Sequence, residues 1–387
     1  MSRERYDVAF YSPWIGPLLV ADRDVAPTGG AETQIFLVAR TLAANGFRVC
    51  VIAFSLDGVA LPARVAGIDV VARPPYSARR RWLGKLVEAG HIWRALRSVD
   101  AEVFVTRAAG PHVGLVGLFA RIARRRFVYS SANVSDFDFA VLAPKRRDRA
   151  LLRLGVRLAN VVVVQSDEQV SLCEARFGRT PRRIRSICEP ARQRTGTPEA
   201  FLWIGRMVWY KRPEAFLELA RAVPDARFWL VGVPVPWTPG GAQLVADVER
   251  DAQALPNLEL LSPRPRTELM HLIDRAVAVV NTADFEGVPN ILLEGWARGV
   301  PALVLTHDPD HVVERERLGA FARGDPGALA EAARGMWAGR DDQQQVAARC
   351  RRYVAENHAA GAVAAQWAEA LSLVRAPVRE PRLAEAV

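Results

Sequence analysis

The sequence predicts an α/β protein with two Rossmann-like, doubly wound domains that face each other across a cleft. Three observations support this fold class. Short apolar runs alternate with longer amphipathic runs along the chain, as strands and helices do in α/β proteins. The length of 387 residues suits two domains. Residues 189–199 carry no apolar periodicity, separate the two series, and are predicted to be a linker.

The first series predicts an N-terminal, Rossmann-like domain over residues 1–188. Its candidate strands are residues 7–11, 48–54, 102–106, 126–129 and 160–164. The last of these is a run of valines, as expected for a central parallel strand that is buried on both faces. After the first strand, Gly29 and Gly30 open a predicted helix whose apolar residues recur at helical spacing.

The second series predicts a C-terminal, Rossmann-like domain over residues 200–360. Its candidate strands are residues 200–204, 227–231, 258–261, 276–281 and 302–305. A helical pattern follows over residues 343–374. The end of the chain, residues 361–387, is predicted to be a helical segment that can cross back to the N-terminal domain.

Composition and charge restrict the class of protein, but they do not identify its ligand. The formal net charge is +10, so the protein is expected to attract anions such as a nucleoside diphosphate, a phospholipid surface or a nucleic acid. The cysteines are far apart in sequence and show no zinc-site or Cys-x-x-Cys spacing, which fits a reducing cytoplasm. Neither a signal peptide nor a membrane-spanning apolar run is recognisable, so a cytoplasmic location is predicted.

The strongest chemical motif is a pair of acids, Glu286 and Glu294, around a predicted helix start. The loop turns at Gly287, and Pro289 stands where a helix can begin. Unpaired backbone amides near Asn290 and the positive end of the helix dipole can receive a phosphate. The carboxylates can accept hydrogen bonds from sugar and ribose hydroxyls. The alternative is that the first acid caps the helix and the second lies on the surface; the flanking glycines and prolines favour a binding site.

Two further motifs follow the first strand of each domain, where ligands bind in doubly wound sheets. In the second domain, Arg206 can grip a phosphate with two hydrogen bonds and Lys211 can act as a point charge. The alternative there is a solvated charged loop. In the first domain, Gly29 and Gly30 permit close approach of a ligand, although a plain turn explains this pair equally well.

Taken in order, these motifs resemble glycosyltransferase family 4, a large family of retaining enzymes with the GT-B fold. The resemblance extends from about residue 7 to residue 370 and is most specific over residues 201–305. It implies that the domain of residues 1–188 binds the acceptor and that the domain of residues 200–360 binds the nucleotide-sugar donor. Within the second domain, it implies that Arg206 and Lys211 hold the diphosphate of the donor. It also implies that Glu286 contacts the transferred sugar and that Glu294 binds the ribose.

The resemblance places more backbone groups around the donor. Gly29 and Gly30 would lie beside the donor phosphates. The loop between the two acids would complete the pocket with its amides, through Gly287, Val288, Pro289 and Asn290. No cofactor and no metal are expected, because protein cations would replace a metal ion and no Asp-x-Asp motif is present. The nucleoside-diphosphate sugar is then a co-substrate.

Several positions depart from the pattern of the family. Many members carry a histidine after the fourth N-terminal strand, where this sequence offers Asn133 as a candidate. His112 lies upstream and can equally be a loop residue. The linker carries Cys188, Glu189 and Pro190 instead of the usual Asn-Gly, and residues 262–264 lack the usual glycine of the base-contacting loop. These departures leave the preferred base and the acceptor chemistry open.

The predicted activity is transfer of a sugar from a nucleoside-diphosphate sugar to an acceptor hydroxyl, with retention, in glycan or glycolipid biosynthesis. The acceptor is expected to be a glycan, a lipid-linked molecule or a small molecule. Two alternatives stay open: a nucleotide-sugar epimerase of the same fold, and a non-catalytic regulator that binds a nucleotide sugar. Nucleic acid is not expected as a partner, because no recognised binding motif accompanies the charge.

Residues 77–97 form a basic and aromatic stretch that can lie on an anionic membrane. This feature predicts peripheral contact with the inner membrane face. The alternative is a solvated helix whose Leu86, Trp93 and Leu96 pack against the domain.

Overall fold

A computed structural model describes residues 5–20, 29–75, 83–138, 145–194 and 196–372. It contains two separate β-sheets, and each sheet has one hydrophobic core on either face. Helices supply the outer layer of each core. This arrangement of two doubly wound units confirms the predicted fold class.

The first sheet has eight strands. They are β1 (Tyr6–Tyr11), β2 (Val49–Phe54), β3 (Arg64–Val65), β4 (Ile68–Arg73), β5 (Ala101–Arg107), β6 (Arg126–Ser130), β7 (Val161–Val164) and β8 (Arg182–Arg183). Their order is β3-β4-β2-β1-β5-β6-β7-β8, and only β3 with β4 is antiparallel. The predicted strands are confirmed to within one residue at each end. The additional strands β3 and β8 form the two edges of the sheet, and β4 lies next to β3. Partial exposure of all three weakens their apolar pattern.

Helices cover both faces of this sheet. They are α1 (Gly16–Leu19), α2 (Gly30–Ala44), α3 (Leu83–Ser98), α4 (Pro111–Ile122), α5 (Arg146–Leu158) and α6 (Asp167–Phe177). Because side chains alternate along a strand, Val8 and Phe10 of β1 pack in the core with α2, whereas Ala9 and Tyr11 pack with α3, α4 and α5. Helices α3, α4 and α5 therefore form one layer on one face of the sheet.

The second sheet is entirely parallel. Its strands are β9 (Ala200–Met207), β10 (Phe228–Pro234), β11 (Leu258–Leu261), β12 (Ala276–Asn281), β13 (Ala302–Val304) and β14 (Gly319–Phe321). Their order is β11-β10-β9-β12-β13-β14, so the chain direction across the sheet switches between β9 and β12. Strands β9 and β10 extend three residues beyond their predicted ends. The short strand β14 was not predicted.

The helices of the second half are α7 (Pro213–Ala222), α8 (Gly241–Gln253), α9 (Arg266–Asp274), α10 (Asn290–Arg298), α11 (Val312–Arg315), α12 (Pro326–Ala338), α13 (Gln344–Asn357) and α14 (Ala360–Ser372). Helix α13 packs against α10, where the rings of Tyr353 and Trp296 lie 5.7 Å apart. Helix α14 packs instead against α2 of the first half, and Trp367 contacts Phe10 with ring centroids 6.5 Å apart. The continuous helical pattern predicted over residues 343–374 is thus two helices with different partners.

None of the helices among the described residues is long and apolar enough to cross a bilayer. All four cysteines are buried as free thiols. The basic stretch over residues 77–97 is described only in part: residues 76–82 lie outside the described residues, and the remainder belongs to α3. Within α3, Leu96 is buried and Leu86 is exposed.

Two glycines let α4 and α5 pack with their backbones in contact. A Cβ atom added to Gly114 would lie 2.3 Å from the carbonyl oxygen of Leu151. A Cβ atom added to Gly155 would lie 2.5 Å from the carbonyl carbon of Val113. Because both obstacles are backbone atoms, a larger residue at either position must push the helices apart.

We therefore expect Gly114→Ala to lower the free energy of unfolding by about 1–3 kcal/mol, the usual cost of overpacking a core. Chemical denaturation followed by circular dichroism measures this change. The matched control is Gly335→Ala in α12, where an added Cβ meets no atom within 4 Å. That variant is expected to be neutral or stabilised by about 0.5–1 kcal/mol, because alanine favours a helix interior over glycine. Equal effects of the two substitutions would contradict the close packing.

Candidate functional site

The candidate site lies where the loops after β9 and β12 meet. These strands are parallel neighbours, so their carboxyl ends reach the same edge of the sheet, at its topological switch point. Lys211 follows β9 and Glu286 follows β12, and the two side chains form an ion pair through Nζ and Oε1. The side chains are only 22% and 11% exposed, respectively. Neither residue is therefore an ordinary surface charge, and Glu286 does not cap α10.

The two loops are fastened to each other by a central hydroxyl. The Thr282 Oγ1 hydroxyl lies 2.7 Å from the carbonyl oxygen of Lys211 and accepts a 3.0 Å hydrogen bond from Trp203 Nε1. The aromatic rings of Tyr210 and Phe285 stack with centroids 5.0 Å apart. These contacts hold the backbone that presents Lys211 and Glu286, so the ion pair is anchored from both strands.

Burial shifts the pKa of the Lys211 ammonium group. Desolvation, followed by the nearby Arg206 charge, lowers the pKa of Lys211 to about 7. Arg206 is itself exposed, and its Nη2 donates to the Tyr210 hydroxyl at 3.1 Å. An anion entering here would favour the charged lysine, because an opposite charge raises the pKa of an ammonium group.

Helix α10 begins with amides that are available to a ligand. Among the described residues, the backbone N–H groups of Gly287, Val288 and Asn290 donate to no acceptor. The first turn of a helix leaves such donors unpaired and carries the positive end of the dipole. The helix ends at Gly299, whose φ of +81° lies in the left-handed region. Both ends of α10 agree with the prediction made from Pro289 and the final glycine.

The glycine pair of the first half lies directly opposite the start of α10. Asn290 Nδ2 donates to the carbonyl oxygen of Gly30 at 3.0 Å, and Gln34 Nε2 donates to Asn290 Oδ1 at 3.0 Å. Gly29 is the residue before α2. The structure therefore brings the first motif of the N-terminal half against the paired-acid motif of the C-terminal half.

A second contact between the halves forms at Gly287. A Cβ atom at this position would lie 2.4 Å from the carbonyl oxygen of Ala132. The backbone carbonyl of the preceding residue is also engaged, since the Val134 N–H donates to the Glu286 carbonyl oxygen at 3.3 Å. On the other side, Nε2 of the buried His307 lies 3.3 Å from the Gly287 oxygen. Glycine is thus required for the two halves to approach.

Glu294 lies apart from this group and has its own partner. Its Oε1 lies 2.7 Å from Arg266 Nη1, and its side chain is 14% exposed. Arg266 is the first residue of α9, which follows β11. Glu294 is therefore a largely buried, paired carboxylate, and the alternative that it is a surface residue is wrong.

The two residues left open by the sequence have structural partners. Asn133 caps a short 3₁₀ helix: its Oδ1 accepts from the Ser135 N–H at 3.1 Å, and Asp136 completes the capping box. His112 belongs to the first turn of α4 and contacts the Tyr11 ring at a centroid distance of 5.9 Å. Burial lowers the pKa of His112 to about 4, so its imidazole is neutral at pH 7.

Sequence reasoning missed residues that bridge the site. Gln34, His307 and Arg266 make the contacts described above, yet none belongs to a recognisable motif. Thr282 lies in the segment that leads to Glu286, but its role was not predicted. Gln34 alone gave a signal, since a polar residue stands there on the apolar side of α2. Among the described residues, no group of three or more His, Cys, Asp or Glu side chains is arranged to hold a metal ion.

Comparison with known proteins identifies both halves. The profile described as "Glycosyltransferase Family 4" matches residues 28–190, and that described as "Glycosyl transferases group 1" matches residues 198–338. Together they cover more than three quarters of the chain. Among curated protein sequences, none matches significantly.

Solved structures match over almost the whole chain at low sequence identity. Sucrose-phosphate synthase from Thermosynechococcus elongatus has a TM-score of 0.74 at 16% identity, covering 96% of this chain and 98% of the other. HepE from Anabaena, solved in complex with UDP and glucose, has a TM-score of 0.69 at 16% identity, with coverages of 95% and 99%. WaaG, a glycosyltransferase involved in lipopolysaccharide biosynthesis, has a TM-score of 0.70 at 16% identity, with coverages of 96% and 100%.

The fold and the matched profiles define a glycosyltransferase enzyme of the GT-B type. The chain belongs to glycosyltransferase family 4, as the order of its motifs predicted.

Proposed function

We propose that this enzyme transfers a sugar from a nucleoside-diphosphate sugar to an acceptor hydroxyl with retention of configuration. The observation that carries this proposal is the convergence of Lys211, Glu286 and the start of α10 at one edge of the second sheet. Support comes also from HepE, whose structures contain UDP-glucose or UDP with glucose. The nucleoside diphosphate would bind with its phosphates between Arg206, Lys211 and the amides of Gly287, Val288 and Asn290.

This arrangement suits departure of a diphosphate. When the bond between the sugar C1 and the β-phosphate oxygen breaks, the electron pair leaves with the phosphate and positive charge develops on the sugar ring. Arg206, Lys211 and the helix start stabilise the negative charge as preorganised groups. The acceptor hydroxyl attacks the same face of the sugar, and its proton passes to the leaving phosphate oxygen. No nucleophile from the protein is required by this step.

The two acids would recognise different parts of the donor. Glu286 lies beside Lys211 at the loop, so it would accept hydrogen bonds from the transferred sugar and stabilise the developing positive charge. Glu294 lies one turn into α10 and would bind the ribose with Oε2, while Oε1 stays with Arg266. The N-terminal half would bind the acceptor, a glycan, a lipid-linked molecule or a small molecule.

The setting that fits this activity is glycan or glycolipid biosynthesis in the cytoplasm, with peripheral contact between the protein and the anionic inner face of the membrane. Protein cations would perform the charge neutralisation that a metal ion performs in other transferases.

The role of the cations is tested by Arg206→Ala and Lys211→Ala. Each change is expected to weaken UDP binding by about 1.5–3 kcal/mol, because each removes a hydrogen bond to a charged group. Isothermal titration calorimetry measures the affinity. Arg221→Ala on α7 is the control, since that arginine is exposed and outside the site. If both site variants bind UDP as tightly as the parent, these residues do not hold the diphosphate.

The paired acids give a sharper test, because their roles predict different damage. Glu286→Gln is expected to lower turnover of UDP-sugar without weakening UDP, which has no sugar to lose. Glu294→Gln is expected to weaken UDP and UDP-sugar alike, by about 1–3 kcal/mol, since ribose hydroxyls lose their acceptor.

Calorimetry with both ligands, on variants whose melting curves match the parent, separates these outcomes. Normal binding and turnover in both variants would contradict the assignment of Glu286 and Glu294 to donor recognition.

Metal independence is tested by chelation. Glycosyl transfer is expected to continue in excess EDTA at the rate measured without it, because Arg206, Lys211 and the start of α10 supply the charge. The assay monitors transfer to the acceptor by measuring the UDP that is released. Activity that disappears in EDTA and returns with manganese or magnesium would refute metal-independent transfer.

A further inference from the structure

Exposed apolar side chains are concentrated on the outer side of the layer formed by α3, α4 and α5. In the described part of the chain, more than half of the large apolar residues that are exposed to solvent lie on this layer. They are Leu86 and Val87 on α3, Leu118 and Ile122 on α4, and Leu154 on α5. Leu118 and Ile122 are one helical turn apart and therefore adjacent on the surface of α4. Ile122 is 62% exposed, an unusual state for an isoleucine.

Arginines surround these apolar residues. The exposed arginines include Arg121 on α4, Arg124 in the turn that follows it, Arg126 at the start of β6, and Arg146 and Arg157 on α5. The acids of the same layer already have cationic partners: Asp100 pairs with Arg125 at 2.6 Å, and Asp148 pairs with Arg147 at 2.7 Å. The surface is consequently positive as well as apolar.

The layer is also rigid, and it contains a groove. The backbone contact at Gly114 and Gly155 fixes α4 against α5, so the exposed residues of the two helices keep their spacing. Between α3 and α4 lies a groove of about 490 Å³, lined by Trp93, Phe119 and Ile122 among others. The apolar surface therefore continues into the layer instead of ending at isolated side chains.

We propose that this outer surface of α3, α4 and α5 docks the enzyme on an anionic lipid bilayer. The inference rests on the membrane contact proposed above and identifies its surface; sugar transfer does not depend on it. A bilayer interface offers phosphate groups to the arginines and hydrocarbon to Leu118, Ile122 and Leu154. A nucleic acid would satisfy only the arginines, so the mixture of apolar and basic side chains favours lipid.

Vesicle sedimentation tests the docking surface with the full chain. We expect binding to vesicles of phosphatidylcholine mixed with phosphatidylglycerol, and little binding to phosphatidylcholine alone. The double variant Arg121→Glu and Arg157→Glu is expected to weaken this binding at least about tenfold, since each basic residue near an anionic surface contributes about fivefold. The double variant Leu118→Ser and Ile122→Ser is expected to weaken it at least about threefold through lost insertion.

Matched controls change the same residue types elsewhere on the surface. Arg352→Glu on α13 replaces an exposed arginine, and Trp237→Ser replaces the 80% exposed tryptophan of the second half. Both are expected to bind vesicles like the parent. Every variant is first shown to melt like the parent and to bind UDP with parental affinity, so that failure of docking is separate from failure of the donor site.

Three results would overturn the proposal. The first is that the parent fails to bind the anionic vesicles. The second is that the controls lose as much binding as the α4 and α5 variants, which would place the contact elsewhere. Alternatively, the serine variant could keep full vesicle binding while the glutamate variant loses both vesicle and double-stranded DNA binding. That last result would show a general polyanion surface and not a lipid-docking one.

Discussion

Strands β9 and β12 are hydrogen-bonded neighbours in the second sheet although two further strands separate them along the chain. Their parallel pairing places the loop with Lys211 and the loop with Glu286 at one edge. The Thr282 hydroxyl and the stacked rings of Tyr210 and Phe285 then join the loops. The buried ion pair depends on this support, because a lysine and a glutamate removed from water need a fixed geometry to offset desolvation. The start of α10 follows within a few residues and adds its amides to the same place.

Contact between the two halves depends on small residues at the positions where backbones meet. Gly287 approaches the Ala132 carbonyl, and the Gly30 carbonyl accepts from Asn290. A side chain at either glycine would collide with the opposite half or with Asn290. Helix α14 connects the halves at another point, since it leaves the second half and packs Trp367 into the first core. The two halves are thus joined by the glycine contacts at the cleft and, separately, by helix α14.

The N-terminal half presents different chemistry on its two sides. Toward the second half it offers backbone groups and polar side chains such as Gln34. On the outer side of the α3–α5 layer it exposes leucines, a valine, an isoleucine and arginines. The proposed docking surface and the residues that meet the second half thus belong to different parts of the N-terminal half. The tight packing of α4 on α5 matters for both, because the same layer supports the strands that end at the cleft.

The amino-acid sequence was enough to predict the fold class, the positions of the main strands, and the start and end of α10. These features depend on local patterns: apolar periodicity, a proline before the helix, and a glycine after it. The profile of motifs also determined the family. It could not determine that Lys211 pairs with Glu286, or that Glu294 pairs with Arg266, because those partners are distant in sequence and meet only through sheet order and helix packing.

Other features depend on long-range packing, because local sequence patterns describe them poorly. The edge strands β3 and β8 have only two residues each, and the neighbouring β4 is partly exposed, so their pairing comes from the adjacent strands. The periodicity over residues 343–374 is continuous, yet α13 packs on the second half and α14 on the first. Gln34 contacts Asn290 only because the two halves meet. Local sequence fixes what each segment forms, whereas long-range packing fixes which side chains share a site.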